Sequence, residues 1–254
     1  MNTTVEVLGV PIFNGTSAEA AAHIVATCTS GTAKANRFVS ATGAHGLVTA
    51  KKDPAFRSVL EAAYLNLPDG MPTVWIGRMK GSTRMERCYG PEVFERVIKE
   101  SAHSSVKHFL CGGKDGIALA LAEVCRTQLG NSQCVGTYSP PFRALTSQEL
   151  ADLAREINST KADIVWIGLS TPKQEVFARE LAKHIQVHFI ITVGAAFDFH
   201  VGAVRQAPKL IQRMGLEWAF RLATEPARLF RRYLEIVPLF IIYGIRDLAS
   251  FHRH

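Results

Sequence analysis

The sequence predicts an α/β fold, a Rossmann-like and mainly parallel sheet with helices on both faces, followed by a basic, amphipathic, helical appendage at the C-terminus. Short apolar runs alternate with helix-like segments along most of the chain. The runs at 106–110, 163–168 and 187–193 are rich in apolar residues, as expected for parallel strands buried on both faces. The alternation stops near residues 201–208, and an arginine-rich segment follows.

The elements are predicted in the following order. An early strand at 5–12 precedes an Ala-rich helix at 17–28 that begins near Thr16 and Ser17. The other strands are predicted at 37–42, 64–68, 106–110, 133–138, 163–168 and 187–193. Further helices are predicted at 44–50, 54–63, 71–79, 91–102, 115–129, 146–158 and 172–184. We therefore expect an α/β core over residues 1–204 and an appendage over 205–254.

Composition favours a globular cytoplasmic protein. Of the 254 residues, 47% are hydrophobic and 20% charged, which suits a large buried core and argues against disorder. The five cysteines are odd in number and form no C-x-x-C pair, so we expect reduced thiols, with neither a disulfide framework nor a zinc site. The sequence shows no signal peptide, and its longest apolar run, at 236–244, is too short to span a bilayer.

The positive charge is concentrated in the appendage. The formal net charge is +7, and residues 205–254 contain nine Lys and Arg against four Asp and Glu. This segment therefore carries five of the seven excess charges. We expect an anionic partner at this end of the molecule.

A helix is predicted after Thr224, which suits the N-cap position, with Pro226 in the first turn. Helical spacing places three arginines on one face and an apolar set on the other. The basic face comprises Arg228, Arg231 and Arg232, and the apolar face Leu229, Phe230, Tyr233, Leu234 and Val237. Such a helix suits an anionic membrane surface or a phosphate-bearing ligand, and equally an ordinary surface helix with its apolar face in the core.

Asp69 is the candidate general base. It follows a strand and precedes a helix, and functional side chains of parallel sheets collect at the carboxyl ends of strands. Partial desolvation there raises a carboxyl pKa and suits the group to proton abstraction. The same position also suits a turn or helix N-cap Asp, so both interpretations stay open.

Three other strand ends carry candidate ligand-binding residues. Ser40 and Thr42 stand at the first of these ends, and a Gly112-Gly113 turn that could receive a diphosphate at a helix N-terminus stands at the second. Gln174 and Glu175 lie in the first turn of a helix at the third, where a Glu is also favourable without any function. From spacing alone a tight turn is the favoured interpretation of the first end, and the glycine turn at the second matches neither G-x-G-x-x-G nor a P-loop.

No metal or cofactor is expected from the sequence. It contains no D-x-D motif and no cluster of His and Cys residues with metal-binding spacing. Asp198 follows the last predicted strand, where a structural turn is favoured over a second site carboxylate.

The combination and order of these stretches resembles the bacterial WecG/TagA/CpsF glycosyltransferases (glycosyltransferase family 26), along almost the whole chain. The motifs that carry the resemblance are Leu67-Pro68-Asp69-Gly70, Glu86-Arg87-x-x-Gly90, Leu110-x-Gly112-Gly113, Pro172-Lys173-Gln174-Glu175, Val193-Gly194-Ala195-x-Phe197-Asp198, Ala207-Pro208, and the block from Gly215-Leu216-Glu217-Trp218 through Arg221-Leu222 and Glu225-Pro226-x-Arg228 to Arg231-Arg232-Tyr233.

The resemblance implies an inverting, metal-independent transferase that moves a hexosyl or N-acetylhexosaminyl group from a UDP-sugar to a polyprenyl-diphosphate-linked saccharide. It implies a peripheral enzyme at the inner leaflet of the cytoplasmic membrane, active in cell-envelope polysaccharide synthesis. It also implies that residues 1–204 form the catalytic core and that the appendage, residues 205–254, associates with the membrane and completes the active site. The family's candidate base maps onto Asp69, and its donor-contacting glutamine onto Gln174. The expected substrate-binding residues are Ser40, Thr42, Arg87, Gly112, Gly113, Gln174, Glu175, Arg221, Arg228 and Arg231.

The chain departs from the common family pattern in places. Ser40-Ala41-Thr42 stands where many members have Thr-x-Asn, and the Thr42-Gly43-Ala44-His45-Gly46 stretch favours an exopolysaccharide-type subgroup. The sequence leaves open the donor sugar, the acceptor and whether the protein forms a homo-oligomer. It leaves open whether the appendage arginines bind the UDP or the lipid diphosphate.

Two functions of other classes stay as alternatives. The α/β alternation and the Gly112-Gly113 turn are compatible with a nicotinamide-dependent oxidoreductase, although the dinucleotide fingerprint is missing. The basic C-terminus is compatible with a non-catalytic module that binds anionic lipid or nucleic acid. We expect no nucleic-acid partner under the leading hypothesis.

Overall fold

The computed structural model describes residues 4–252. Six parallel strands form one sheet in the order β4-β3-β8-β7-β5-β6, and β1 and β2 form a separate antiparallel pair. The strands are β1 Thr4–Val7, β2 Val10–Phe13, β3 Arg37–Thr42, β4 Leu65–Pro68, β5 His108–Gly112, β6 Cys134–Tyr138, β7 Ile164–Gly168 and β8 Phe189–Thr192. This architecture confirms the predicted Rossmann-like α/β fold.

Helices cover both faces of the sheet. They are α1 Ser17–Thr29, α2 Ala44–Lys52, α3 Pro54–Glu61, α4 Met71–Met79, α5 Gly90–Glu100, α6 Ile117–Thr127, α7 Ser147–Thr160, α8 Lys173–Leu181, α9 Ala196–His200, α10 Lys209–Arg213, α11 Glu217–Thr224 and α12 Pro226–Phe251. Thr16 and Thr146 both form capping boxes, with Glu19 and Glu149 respectively, so local sequence fixes where α1 and α7 begin.

Two apolar layers hold the helices against the sheet. Residues of α1, α5, α6 and α9 pack on one face, around Phe94 and Trp166, whose ring centroids are 4.9 Å apart in an edge-to-face arrangement. Residues of α3, α7 and α8 pack on the other face, against strand residues such as Val165 and Ile167. Burial on both faces explains why apolar residues dominate the central strands β7 and β8.

The prediction of a single strand over 5–12 is wrong. The chain turns at Leu8 and Gly9, so that Val7 pairs with Val10 in an antiparallel hairpin. Both turn residues have positive φ, 53° and 83°, which is the backbone that a tight two-residue hairpin requires. An apolar residue at Leu8 hides this turn from a reading of the sequence, because the fully buried Leu8 side chain joins the core.

The appendage differs from its prediction in detail. Thr224 does not cap a helix, since its hydroxyl donates to the Phe220 carbonyl at 3.1 Å and it ends α11. The long helix α12 begins at Pro226 and continues through Pro238. Its buried face carries Leu229, Ile236, Phe240 and Gly244.

The apolar face predicted for this helix is therefore only partly correct. Phe230 and Leu234 are exposed at 55% and 65%, whereas Leu229 is fully buried. Ile236 and Phe240 join an apolar cluster formed by the hairpin, α2, α3 and α4.

Candidate active site

Asp69 lies directly after β4, at the carboxyl edge of the sheet. Its Oδ1 accepts a hydrogen bond from the Gly90 backbone N–H at 2.7 Å, and its own N–H donates to the Thr42 carbonyl at 3.2 Å. Burial raises the pKa of the Asp69 carboxyl, and the neighbouring Arg87 guanidinium opposes that rise. A carboxylate with a raised pKa beside an open backbone turn is suited to receive a proton.

Arg87 uses its guanidinium to join the Asp69 loop to the appendage. Nε donates to the Asp69 carbonyl at 2.7 Å, Nη1 to Gln212 Oε1 at 3.2 Å and Nη2 to Glu217 Oε2 at 2.5 Å. The guanidinium also stacks on the ring of Tyr89, with 3.9 Å between its carbon and the ring centroid. Arg87 is thus committed to protein partners in this structure, and its predicted role in substrate binding stays a prediction.

The polar residues predicted at the ends of β3 and β7 are buried next to one another at the carboxyl edge of the sheet. Ser40 Oγ and Thr42 Oγ1 are hydrogen-bonded at 2.7 Å, and Gln174 and Glu175 are each only 1% exposed. Gln174 Oε1 accepts from the Gly194 N–H at 3.1 Å, and its Nε2 donates to Glu175 Oε1 at 2.9 Å. The amide of Gln174 therefore ties β8 to the first turn of α8.

Glu175 is a buried carboxyl whose pKa is raised by burial, against hydrogen bonds from Gln174 and Thr171. The Thr171 hydroxyl donates to Glu175 Oε1 at 2.9 Å. Glu175 Oε1 therefore has two donors, as buried polar atoms generally require hydrogen-bond partners. The contacts give Gln174 and Glu175 a structural role, and their predicted contact with substrate stays a prediction.

The Gly112-Gly113 turn brings β5 and β7 together at their carboxyl ends. A Cβ on Gly112 would lie 2.6 Å from the Gly168 carbonyl oxygen, and the Gly113 N–H donates to that same oxygen at 3.0 Å. Gly113 has a φ of 72°, in the left-handed region. Close strand packing thus accounts for both glycines, and diphosphate binding at this turn remains untested.

The appendage places two of its predicted arginines in a charged cluster beside Asp198. Arg221 lies over the ring of Phe199, at 5.5 Å from its centroid, and Arg228 Nε donates to Glu225 Oε2 at 2.6 Å. Burial raises the pKa of Asp198, and the charges of Arg228 and Lys114 oppose the rise. Arg231 is exposed on α12.

Arg232, which was not among the predicted site residues, lies on the core side of α12. Burial lowers its pKa, and the like charges of Arg228 and Arg221 act in the same direction. The pKa of His45, in the loop-to-helix turn after β3, falls to about 4 through burial and then through Arg232. Arg232 therefore belongs with Arg221 and Arg228 in an arginine cluster that faces the carboxyl edge of the sheet.

The model of the Glycosyl transferase WecG/TagA/CpsF family matches residues 5–254, which is nearly the whole chain. The chain belongs to this family. Membership implies a glycosyltransferase of cell-surface polysaccharide synthesis, with a nucleotide-sugar donor and a lipid-linked acceptor. It confirms the resemblance that the motifs indicated, and it sets aside both the oxidoreductase and the non-catalytic module as the main function.

Three residues that join this glycosyltransferase's core to its appendage were not predicted as site residues. They are Tyr89, Gln212 and Glu217, all in contact with Arg87. Gln212 and Glu217 are 125 and 130 positions from Arg87, so no spacing pattern connects them. Glu217 stands in the family block Gly215-Leu216-Glu217-Trp218, which was the available signal.

Among residues 4–252, no group of three or more His, Cys, Asp and Glu side chains has an arrangement that would hold a metal ion. Within the same range, no helix combines the length and the apolar character needed to cross a bilayer.

Proposed function

We propose that this protein is an inverting, metal-independent transferase that moves a hexosyl or N-acetylhexosaminyl group from a UDP-sugar to a polyprenyl-diphosphate-linked saccharide. The observation that carries the proposal is Asp69, a carboxylate of raised pKa at the carboxyl edge of the sheet. Its loop is bound through Arg87 to an appendage whose arginines face the same edge. A base and a cationic cluster are the two groups that this reaction needs.

The reaction is a single displacement. An acceptor hydroxyl attacks the anomeric carbon while Asp69 takes its proton, so the new C–O bond forms as the bond to the UDP oxygen breaks. The leaving UDP keeps the electron pair, and the stereochemistry at the anomeric carbon inverts. The growing negative charge on the diphosphate is stabilised by Arg221, Arg228 and Arg232, which supply fixed positive charge where many sugar-nucleotide enzymes use a D-x-D-bound metal.

The exposed side of α12 supports a peripheral position on the cytoplasmic membrane, where the acceptor lipid is anchored. Phe230, Leu234, Ile241 and Ile245 are between 55% and 65% exposed, and helical spacing brings them to one side. Arg231 and Arg246 are exposed on the same helix and suit anionic headgroups. An apolar stripe flanked by arginines would bring the site to the diphosphate of its acceptor.

A donor panel tests the proposal. The full-length protein is incubated with a short-chain polyprenyl-diphosphate-linked saccharide and, in turn, with UDP-glucose, UDP-galactose, UDP-N-acetylglucosamine and UDP-N-acetylmannosamine. We expect UDP release that depends on the acceptor with at least one donor, in the presence of EDTA. UDP release that never exceeds the acceptor-free control would contradict the proposal, and so would turnover only with added divalent metal.

A further inference from the structure

Helix α11 is held on the core by polar contacts. Neither α10 nor α11 contains a fully buried residue, and the apolar residues Trp218, Phe220 and Leu222 of α11 are only half-buried, so polar contacts matter for its position. Glu217, in the first turn of α11, is nevertheless well buried, with 14% of its side chain exposed. Both of its oxygens are used, because Oε2 accepts from Arg87 at 2.5 Å and Oε1 accepts from the Tyr89 hydroxyl at 2.8 Å.

The partners of Glu217 belong to the segment that holds the base. Arg87 donates to the backbone carbonyl of Asp69, and Gly90 donates to its carboxylate, both at 2.7 Å. Residues 87–90 therefore make hydrogen bonds both to the main-chain carbonyl of Asp69 and to its carboxylate. Any shift of the Arg87 guanidinium changes the first of these two contacts.

The core side of this segment cannot move easily. A Cβ on Gly90 would lie 2.8 Å from the Val193 carbonyl oxygen, so the backbone at Gly90 is seated directly on the end of β8. The Arg87 side chain is the adjustable part, and Glu217 with Gln212 fixes its far end. An ion pair in which both partners are about 15% exposed is costly to break from one side, which makes the contact a firm one.

We propose that Glu217 is a positioning residue of the transfer reaction: it docks α11 onto Arg87 and Tyr89 and, through Arg87, holds the Asp69 loop in its reactive orientation. The inference rests on the proposed function for the reaction itself. It adds that the appendage governs the base as well as the leaving group, so the two halves of the site form in one docking event.

Glu217 also acts on the charge of Asp69. The groups that face Asp69 are Arg87, Cys88 and Tyr89 from the segment before α5, and Glu217 and Arg221 from α11. The pKa of Asp69 is raised first by burial, is lowered by Arg87 and the Gly90 hydrogen bond, is raised by Glu217 and is lowered by Arg221. Removing the Glu217 charge deletes a like charge and unpairs Arg87, so the pKa of Asp69 falls.

The test compares full-length E217Q with a matched control, E235Q. Glu235 also joins the appendage to the core, through Lys52, but that pair is about half exposed. For E217Q we expect kcat to fall about 10- to 100-fold, with KM for the UDP-sugar within about twofold, because a misplaced base slows the chemical step. The acidic limb of the kcat–pH profile should move to lower pH, and amide exchange in residues 217–224 should accelerate. E235Q should match the wild type in all four readouts.

Three further variants make the result decisive. If Glu217 acts through Arg87, the two residues behave as one unit. The double variant E217Q/R87M should then have a kcat only slightly below that of R87M alone. Y89F removes one partner of the carboxylate without removing a charge, so it should lower kcat in the same direction by a smaller factor. If circular dichroism shows that E217Q does not fold, Y89F replaces it as the test variant. E217D should not restore kcat, since its shorter side chain cannot reach Arg87 and Tyr89 together.

The inference is overturned by an E217Q enzyme with wild-type kcat and pH profile. It is overturned equally by a loss without movement of the acidic limb, by a rise in KM alone, or by additive effects of E217Q and R87M. Failure of the proposed function looks different, because the wild type then transfers no sugar at all. The exchange rates of residues 217–224 still report in that case whether Glu217 docks α11.

Discussion

The carboxyl edge of the sheet and the C-terminal appendage build the site in opposite ways. At the sheet edge, Ser40, Gln174 and Glu175 are at most 1% exposed and are joined by hydrogen bonds. In the appendage, α10 and α11 have no fully buried residue, and Arg228 and Arg231 are exposed. The core supplies fixed geometry, and the appendage supplies charge.

The difference follows from the cost of burial. An unpaired polar group under the sheet edge costs about 1–3 kcal/mol, which favours the hydrogen-bonded arrangement of Ser40, Thr42 and Gln174. Arginine remains charged when half-exposed, and its long side chain can reach a site from the surface of a helix. A site that admits a lipid-linked acceptor benefits from one side with fixed, buried groups and another side with half-exposed charges.

The largest expected effect on activity concerns Asp69, at the carboxyl edge of the sheet. D69N removes the proposed base while keeping an oxygen that can accept from the Gly90 N–H, so folding and UDP binding should be retained. Transfer should fall about 10²- to 10⁴-fold, the range typical of a lost general base. Initial rates of UDP release, with the thermal midpoint as a folding control, measure this. Near-normal turnover by D69N would show that Asp69 is not the base.

The next largest effect concerns the arginine cluster of the appendage. The double variant R221M/R228M keeps most of each alkyl stem but removes two charges from the cluster, and kcat should fall about 10²- to 10³-fold. Separate KM values for donor and acceptor show which diphosphate the arginines bind. R155M removes an arginine that is 74% exposed on α7 and should be neutral. Equal activity of R221M/R228M and R155M would refute the role of the cluster.

The pH dependence of the free energy of unfolding tests the buried polar groups of the core, of which His108 is one. Burial lowers the pKa of His108 to about 4, and its ring accepts from Trp166 Nε1 at 3.2 Å, so the folded state keeps it neutral. A depressed folded pKa means that this stability is present above the ordinary value of about 6.5 and is lost as the pH falls towards 4. His108 alone should contribute a slope of about 1.4 kcal/mol per pH unit in that window.

Urea unfolding between pH 4 and 7 measures this slope. H108N removes the titrating group, so its unfolding free energy should be lower at pH 7 but should depend less steeply on pH. H103Q, at an exposed histidine, should keep the wild-type slope. A wild-type slope in H108N would mean that another group carries the acid sensitivity.

The smallest expected effect concerns the exposed stripe of α12. I241S removes one apolar side chain that is 55% exposed, and its binding to anionic vesicles should weaken about tenfold if that side chain enters the interface. L119S changes a side chain that is 67% exposed on α6 and is the control. Sedimentation with vesicles at two salt concentrations measures both. If I241S and L119S lose vesicle binding equally, the exposed stripe of α12 has no specific role in membrane binding.

The sequence by itself determined the elements that short-range chemistry controls. Alternating apolar runs predicted the parallel sheet, Thr146 with Glu149 predicted the start of α7, and the arginine count placed the positive charge in the appendage. Ordered motifs indicated the family, and the position of Asp69 after a strand marked it as a candidate base. Each of these signals is contained within a few residues, or in their order along the chain.

The tertiary structure decided what depends on distant partners. Helical spacing could not tell that Leu229 is buried and Leu234 exposed, because both flanks of α12 carry apolar residues and the hairpin, α2 and α4 select one. Nor could it join Arg87 to Glu217 across 130 positions. Such contacts arise when the folded core brings remote segments together, since a buried charge is stable only where another part of the chain neutralises it.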